Sequence, residues 1–274
     1  MVFSTVIVIF ELFNVIMYII NMSYFYRSSE NKVHNECFPL NFRMLLVGAS
    51  GAGKTALLMR MLLEPGLLNY DKLYIFAKSL YQPEYQVLKA GLENNLPKTD
   101  IIKLMNSDTI LKKNNTELND VAQVLSELNE NEGTNIEIEF HDNPNEIPDP
   151  SNLNKTIRNL MIFDDIMTDR KQNTAENYYT RGRSANCDCI YLSQNYTKLP
   201  LHTIRSNSNF MVFFKSSPLV VEQLHRNFAA VDMEIKPFKE FCKETWSKKH
   251  GFIVIDLSRD NSNKYRSQLE LSFI

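Results

Sequence analysis

The stretch "LLVGASGAGKTALL", residues 45–58, limits what this chain can fold into more than any other. Gly48, Ala49, Ser50, Gly51, Ala52, Gly53, Lys54 and Thr55 satisfy the spacing G-x-x-x-x-G-K-S/T, and Ala56 follows. The segment before, "RMLLVG" (43–48), is apolar enough to be a buried strand. The segment after, "KTALLMRMLL" (54–63), has apolar residues at helical spacing and stops at Pro65 and Gly66. Strand, glycine-rich turn and helix in direct succession form a cradle for phosphates. Glycines let consecutive backbone N–H groups turn inward, and the helix adds its positive N-terminal end. Lys54 is placed to neutralise β- and γ-phosphates, and Thr55 to offer its hydroxyl to Mg²⁺. Residues 48–56 are therefore expected to bind ATP.

The rest of the chain from Phe42 alternates apolar strands with helical stretches, the pattern of a parallel sheet covered on both faces. Further strands are expected at "KLYIFAK" (72–78), "NLMIFDDI" (159–166), "CIYLSQ" (189–194), "FMVFFK" (210–215) and "GFIVIDL" (251–257). Helices are expected at "PEYQVLKAGLE" (83–93) and at "TELNDVAQVLSELNE" (116–130), the latter opened by Thr116 as N-cap with Glu117 after it. Residues 97–158 read as a polar insertion, with a loop over 145–154. The expected organisation is one domain over 42–274, a lead-in over 22–41, and a separate apolar segment over 1–21.

Two strand ends carry groups suited to hydrolysis. Asp164 and Asp165 follow "LMIF". A carboxylate at such a position holds Mg²⁺ in phosphate-binding proteins of this kind, which suits Asp164. Asp165, beside it, is placed to polarise a water. The second end is "CIYLSQNYTKLP" (189–200), where an apolar run closes on Ser193, Gln194 and Asn195. A buried strand next to the phosphate-loop strand would deliver Gln194 to the γ-phosphate, because ligands of open α/β sheets bind at the carboxyl ends of strands. An amide both donates and accepts, so Gln194 is the expected sensor bridging phosphate and attacking water.

Between the acids and that strand lies "YYTRGRSANCD" (178–188). Arg181 and Arg183 flank a glycine and are candidates for an arginine finger on a neighbouring subunit's nucleotide; Arg205 is a further one. The five histidines are scattered and read as ordinary. Cys37, Cys187, Cys189 and Cys242 show no CxxC spacing and fit reduced, buried thiols in an intracellular protein. A net charge of −2 announces no nucleic-acid or membrane partner, so any DNA contact must come from local Lys and Arg.

Residues 1–20 are apolar apart from Ser4, Thr5, Glu11 and Asn14, long enough to span a bilayer and without a signal peptide's basic n-region. Three readings compete: a membrane anchor, a buried or partner-binding helix, and an upstream extension with the working start at Met22.

Together, "GASGAGKT", "LMIFDD", "YYTRGR", "IYLSQNYTKLP" and "IRSNSNFMVFF" resemble the packaging ATPases of the FtsK–HerA superfamily, closest in look to the poxvirus-type branch of large DNA viruses, virophages and Maverick/Polinton transposons. The resemblance covers roughly residues 40–215. It implies an additional-strand P-loop fold, a homo-oligomeric ring, and ATP-driven pumping of double-stranded DNA into a capsid, with capsid or portal proteins as partners. Lys54, Thr55 and Asp164 match its nucleotide and Mg²⁺ positions, and Gln194 its strand-end sensor. Many members carry Glu where Asp165 stands, so the shorter arm leaves the base assignment open. Such proteins begin shortly before "FRMLLVG", which favours the extension reading of residues 1–21. An intracellular site of action, with virion association, follows from the same resemblance.

Two other classes remain beside the motor. A small-molecule kinase also uses a P-loop and mobile arginines, although paired acids and a strand-end amide prepare a water rather than an acceptor. A non-hydrolysing nucleotide-bound assembly protein would have no use for the intact set Lys54, Asp164, Asp165 and Gln194.

Overall fold

Alternation along each strand decides which side chains meet which helices. In β1 (Arg43–Val47), Met44 and Leu46 join one core cluster while Leu45 and Val47 join the other. The first cluster packs under helix α1 (Lys54–Leu63) and helix α2 (Pro83–Glu93), through Leu58, Met61, Leu62, Tyr85 and Leu88. The second is covered by Tyr178, Leu224, Phe238 and Cys242 from later helices. Two layers of helix therefore sandwich one sheet, each buried side chain contributing about 1.5–3 kcal/mol.

The computed structural model describes residues 34–128, 133–166 and 173–269, which all lie within the unit His34–Ile274. The apolar segment 1–21, the last two residues of the helix expected over 116–130, and residues 270–274 fall outside them. No helix among the described residues is long and apolar enough to cross a membrane.

The sheet has eight strands: β1, β2 (Lys72–Ala77), β3 (Glu137–His141), β4 (Asn159–Asp164), β5 (Cys187–Ser193), β6 (Phe210–Phe214), β7 (Phe252–Asp256) and β8 (Tyr265–Ser267). Their order is β3-β2-β4-β5-β1-β6-β7-β8. The first six in that order are mutually parallel. β7 and β8 are antiparallel additions at one edge. β7 runs against β6 because the connection holds two helices, α6 (Pro218–Leu224) and α7 (Ile235–Ser247), which bring the chain back to the end of β6 that it left.

The region 97–158 is more ordered than its polarity suggests. It holds α3 (Lys98–Met105), α4 (Asn115–Leu128) and the edge strand β3. The cap of α4 is Asn114, not Thr116: its Oδ1 accepts from Glu117 N at 3.0 Å, while Glu117 Oε2 accepts from Asn114 N at 3.2 Å. This reciprocal box satisfies two otherwise orphaned donors, and it moves the helix start one residue earlier. α5 (Asn173–Arg181) covers β4 and β5 on the second face.

Residues 34–42 contribute to the core through His34, Cys37, Phe38 and Phe42. Phe38 and Phe42 are buried. His34 Nε2 lies 2.9 Å from Asp188 Oδ2, Arg158 Nη1 lies 3.1 Å from the same oxygen, and Phe42 N donates to Asp188 Oδ1 at 2.8 Å. The four cysteines are free and buried.

Candidate active site

Strand register sets the site. Val47 pairs with Ser193, and Asp164 pairs with Leu192, so β1, β4 and β5 finish at one edge. The residues just past those ends are Gly48, Asp165 and Gln194. Asp165 and Gln194 line a cavity of about 230 Å³ whose walls also include Ser50, Lys54, Thr55 and Asp164.

The loop over 48–53 is held from below. Gly48 N donates to Ser193 O at 3.1 Å. A Cβ at Gly48 would stand 2.8 Å from Phe214 Cβ, so only glycine lets β6 approach β1 here. Gly53 caps α1 with φ 108°, a left-handed conformation that L side chains rarely adopt. The first turn of α1 has no acidic residue, which leaves its N-terminal N–H groups and positive dipole end free for an anion. Lys54 Nζ donates to Gly48 O at 2.7 Å and Ala49 O at 3.0 Å, folding back over the loop it serves. Burial pushes its ammonium down in pKa, and the charges of Asp164 and Asp165 oppose that.

Asp164 continues the alternation of Leu160 and Ile162 and so faces α1. It is buried, and burial raises its carboxyl above the ordinary value. The Tyr85 hydroxyl and Lys54 pull the other way, while Asp165 adds to the rise. Tyr85, from the first turn of α2, donates to Asp164 Oδ2 at 2.6 Å. Its own hydroxyl is pushed up, first by burial and then by Asp164, which keeps it a neutral donor. Thr55 and Asp164 both line the cavity and present hard oxygen donors, a set that fits Mg²⁺ together with phosphate oxygens. Among the described residues, no cluster of three or more His, Cys, Asp or Glu is arranged to hold a metal without such help.

Asp165 is exposed and has φ 51°. Left-handed backbone at a non-glycine residue turns its carboxylate out of the strand's alternation and into the cavity mouth. Gln194 Nε2 lies 3.5 Å from Asp165 Oδ1. An acid and an amide thus meet directly at the cavity mouth.

The arginines lie elsewhere. Arg181 ends α5 and pairs with Asp149 at 2.8 Å. Arg183 sits in the short helical turn Gly182–Ala185, exposed and with no side-chain partner among the described residues. Both precede the amino end of β5, the opposite edge from the phosphate loop. Arg205 stacks on Tyr196 at 4.7 Å, before the amino end of β6. Among the described residues, no arginine lines the cavity.

Three contributors were not expected from sequence. Ser79 and Gln82 line the cavity from the segment after β2, and Tyr85 supports Asp164 from the helix that follows. The rule that ligands collect at strand carboxyl ends points to Ser79 and Gln82 once β2 is known to neighbour β4. His250, read as ordinary, reaches the loop: its Nδ1 lies 3.2 Å from Ala52 O.

Sheet order and loop together define the class. The strand that leads to Gln194 stands between the phosphate-loop strand and the acidic strand, which is the additional-strand P-loop α/β fold. No protein-family model matches the chain, and no curated protein matches it in sequence. Among solved structures, it is similar to the genome packaging NTPase B204 from Sulfolobus turreted icosahedral virus 2 in complex with AMP, at 13% identity and TM-score 0.46, over 84% of this chain and 98% of that one. It is similar to B204, the DNA-packaging ATPase from Sulfolobus Turreted Icosahedral Virus, at 11% identity and TM-score 0.47, over the same shares. VirB4 of Thermoanaerobacter pseudethanolicus is similar at 10% identity and TM-score 0.42, over 79% of this chain and 87% of that one.

Proposed function

We propose that this chain is an ATP-hydrolysing motor that moves double-stranded DNA and packages a viral or transposon genome into a capsid. The observation that carries the reading is the meeting of Lys54, Thr55, Asp164, Asp165 and Gln194 around one cavity at the ends of three adjacent strands. A kinase needs room and orientation for an acceptor. This site instead brings a carboxylate and an amide together at 3.5 Å, an acceptor and a donor for a water placed beside them.

The roles follow from position. The loop backbone and the start of α1 bind the phosphates. Lys54 leaves the carbonyls of Gly48 and Ala49 to neutralise the β- and γ-phosphates. Thr55 and Asp164 would hold Mg²⁺, which when bound offsets phosphate charge. Asp165 takes the proton of the attacking water, and Gln194 orients that water and senses the γ-phosphate. Arg183 is the preferred finger in a ring of identical subunits, since it is exposed and stands nearest the strand that leads to Gln194. Action in the host cell interior, with capsid or portal proteins as partners, completes the reading.

Phosphate release by the purified chain, with and without duplex DNA, tests it. DNA-stimulated turnover is expected. Transfer of phosphate to a nucleoside would assign a kinase instead, and nucleotide binding without turnover would assign an assembly protein.

A further inference from the structure

A second cavity of about 470 Å³ opens between α6 and α7. It lies at the carboxyl end of β6, where Phe214 packs against Gly48. Its floor is apolar, with Val221, Cys242 and Trp246. Every charged side chain that lines it is a lysine: Lys215 on one wall, Lys239 and Lys243 on the other. Lys215 and Lys243 have no partner among the described residues. Lys239 pairs with Glu222 at 2.8 Å, but both side chains are about half exposed, at 47% and 48%. Such a rim pair is worth little and exchanges readily for a stronger anion. Glu240 and Glu244 sit one residue further round α7 and do not line the cleft. In a chain of net charge −2, this grouping is a local reversal of sign.

We infer that this cleft seats the sugar–phosphate backbone of duplex DNA, with Lys215, Lys239 and Lys243 as its phosphate contacts. A continuous polyanion offers phosphates to the lysines of both walls at once. Lys239 and Lys243 are one helical turn apart, about 6 Å along α7. Each strand of a duplex presents a phosphate about every 3.4 Å along its axis, so consecutive turns of α7 meet nearby phosphates. The exposed Lys248 and Lys249 extend the positive line past the end of the helix. The next residue, His250, touches Ala52 O in the phosphate loop. One wall of the cleft therefore ends on the loop that binds ATP, and Phe214, the residue before Lys215, packs on the start of that loop. The inference rests on the DNA-motor reading above and assigns it a contact surface.

The test uses the full chain and a fluorescein-labelled duplex oligonucleotide, with affinity measured over a range of salt. Trp246 is the chain's single tryptophan, so its emission reports on the cleft directly. Wild type is expected to bind with strong salt dependence and to shift Trp246 emission. Lys215→Ala/Lys243→Ala is expected to flatten the slope of log affinity against log salt by about 1.8, at about 0.9 per contact, and to lose the emission shift. A charge-matched control, Lys112→Ala/Lys155→Ala, removes two exposed lysines elsewhere and is expected to keep both signals. An unchanged slope in the cleft variant, an equal loss in the control, or no duplex binding by wild type would each overturn the inference. So would weakened binding of a fluorescent ADP with duplex binding intact, which would assign the cleft to the nucleotide's base. Phosphate release is read on the same samples, so failure of the cleft and failure of the ATPase reading are separate results.

Discussion

The Tyr85 hydroxyl donates to Asp164 Oδ2 at 2.6 Å, tying the first turn of α2 to the acid at the end of β4. The bond engages one oxygen of a carboxylate that also lines the cavity. Partners of this kind orient metal ligands, and losing one typically costs about 10–100-fold in metal affinity. Tyr85→Phe is therefore expected to raise the Mg²⁺ concentration needed for half-maximal turnover by that order. It is also expected to lower stability by about 1–3 kcal/mol, since a buried acceptor loses its donor. Mg²⁺ titration and urea unfolding check the two effects. An unchanged Mg²⁺ requirement would limit Tyr85 to packing.

In the proposed sensor role, Gln194→Ala removes a transition-state donor but leaves the phosphate cradle intact. Hydrolysis is expected to fall by about 10²–10³, with affinity for a non-hydrolysable ATP analogue nearly unchanged and stimulation by DNA lost. Fluorescent-analogue binding and phosphate release measure both. Normal hydrolysis would remove the sensor role.

Asp188 joins His34 and Arg158 in a buried cluster beneath the amino ends of β4 and β5. Breaking a buried ion pair from one side costs about 3–5 kcal/mol, because the remaining charge is left uncompensated. Asp188→Ala is expected to destabilise by that amount in denaturant titration. Deletion of residues 1–21 keeps His34 and is expected to leave both stability and turnover at the full-chain level; loss of folding on that deletion would show a structural need for the segment.

Arg183 is exposed and unpaired among the described residues, on the opposite edge from its own phosphate loop. An arginine finger contributes about 10³–10⁵ in rate. Lys54→Ala and Arg183→Ala subunits, each inactive alone, are expected to regain part of the turnover when mixed, because a hybrid interface pairs an intact loop with an intact finger. Absence of recovery in mixtures shown to form mixed rings would count against action in trans.

Much of the cavity could be read from sequence because its parts are local. Residues 48–56 carry their own strand, turn and helix, and Asp164, Asp165 and Gln194 each follow an apolar run that buries itself. Tyr85 and Gln82 gave no such signal: one looks like any apolar position of an amphipathic helix, the other like a loop amide. Their roles depend on β2 lying beside β4, a pairing between segments far apart in the chain. β3 escaped notice because it is a half-covered edge. Its Glu137 and Glu139 alternate with Ile138 and Phe140, and both acids bond to Lys72 of β2, at 3.0 and 2.7 Å. Out of that context "EIEFH" reads as part of a polar loop. His250 reaches Ala52 from a left-handed turn, φ 55°, that no periodicity foretells.

Translocation itself is the central claim, and displacement of a triplex-forming strand from duplex DNA measures it most directly. Wild type with ATP and Mg²⁺ is expected to strip the third strand, and Lys54→Ala, which cannot neutralise the phosphates, is expected to leave it bound. ATP hydrolysis by wild type with the third strand still in place would contradict the account.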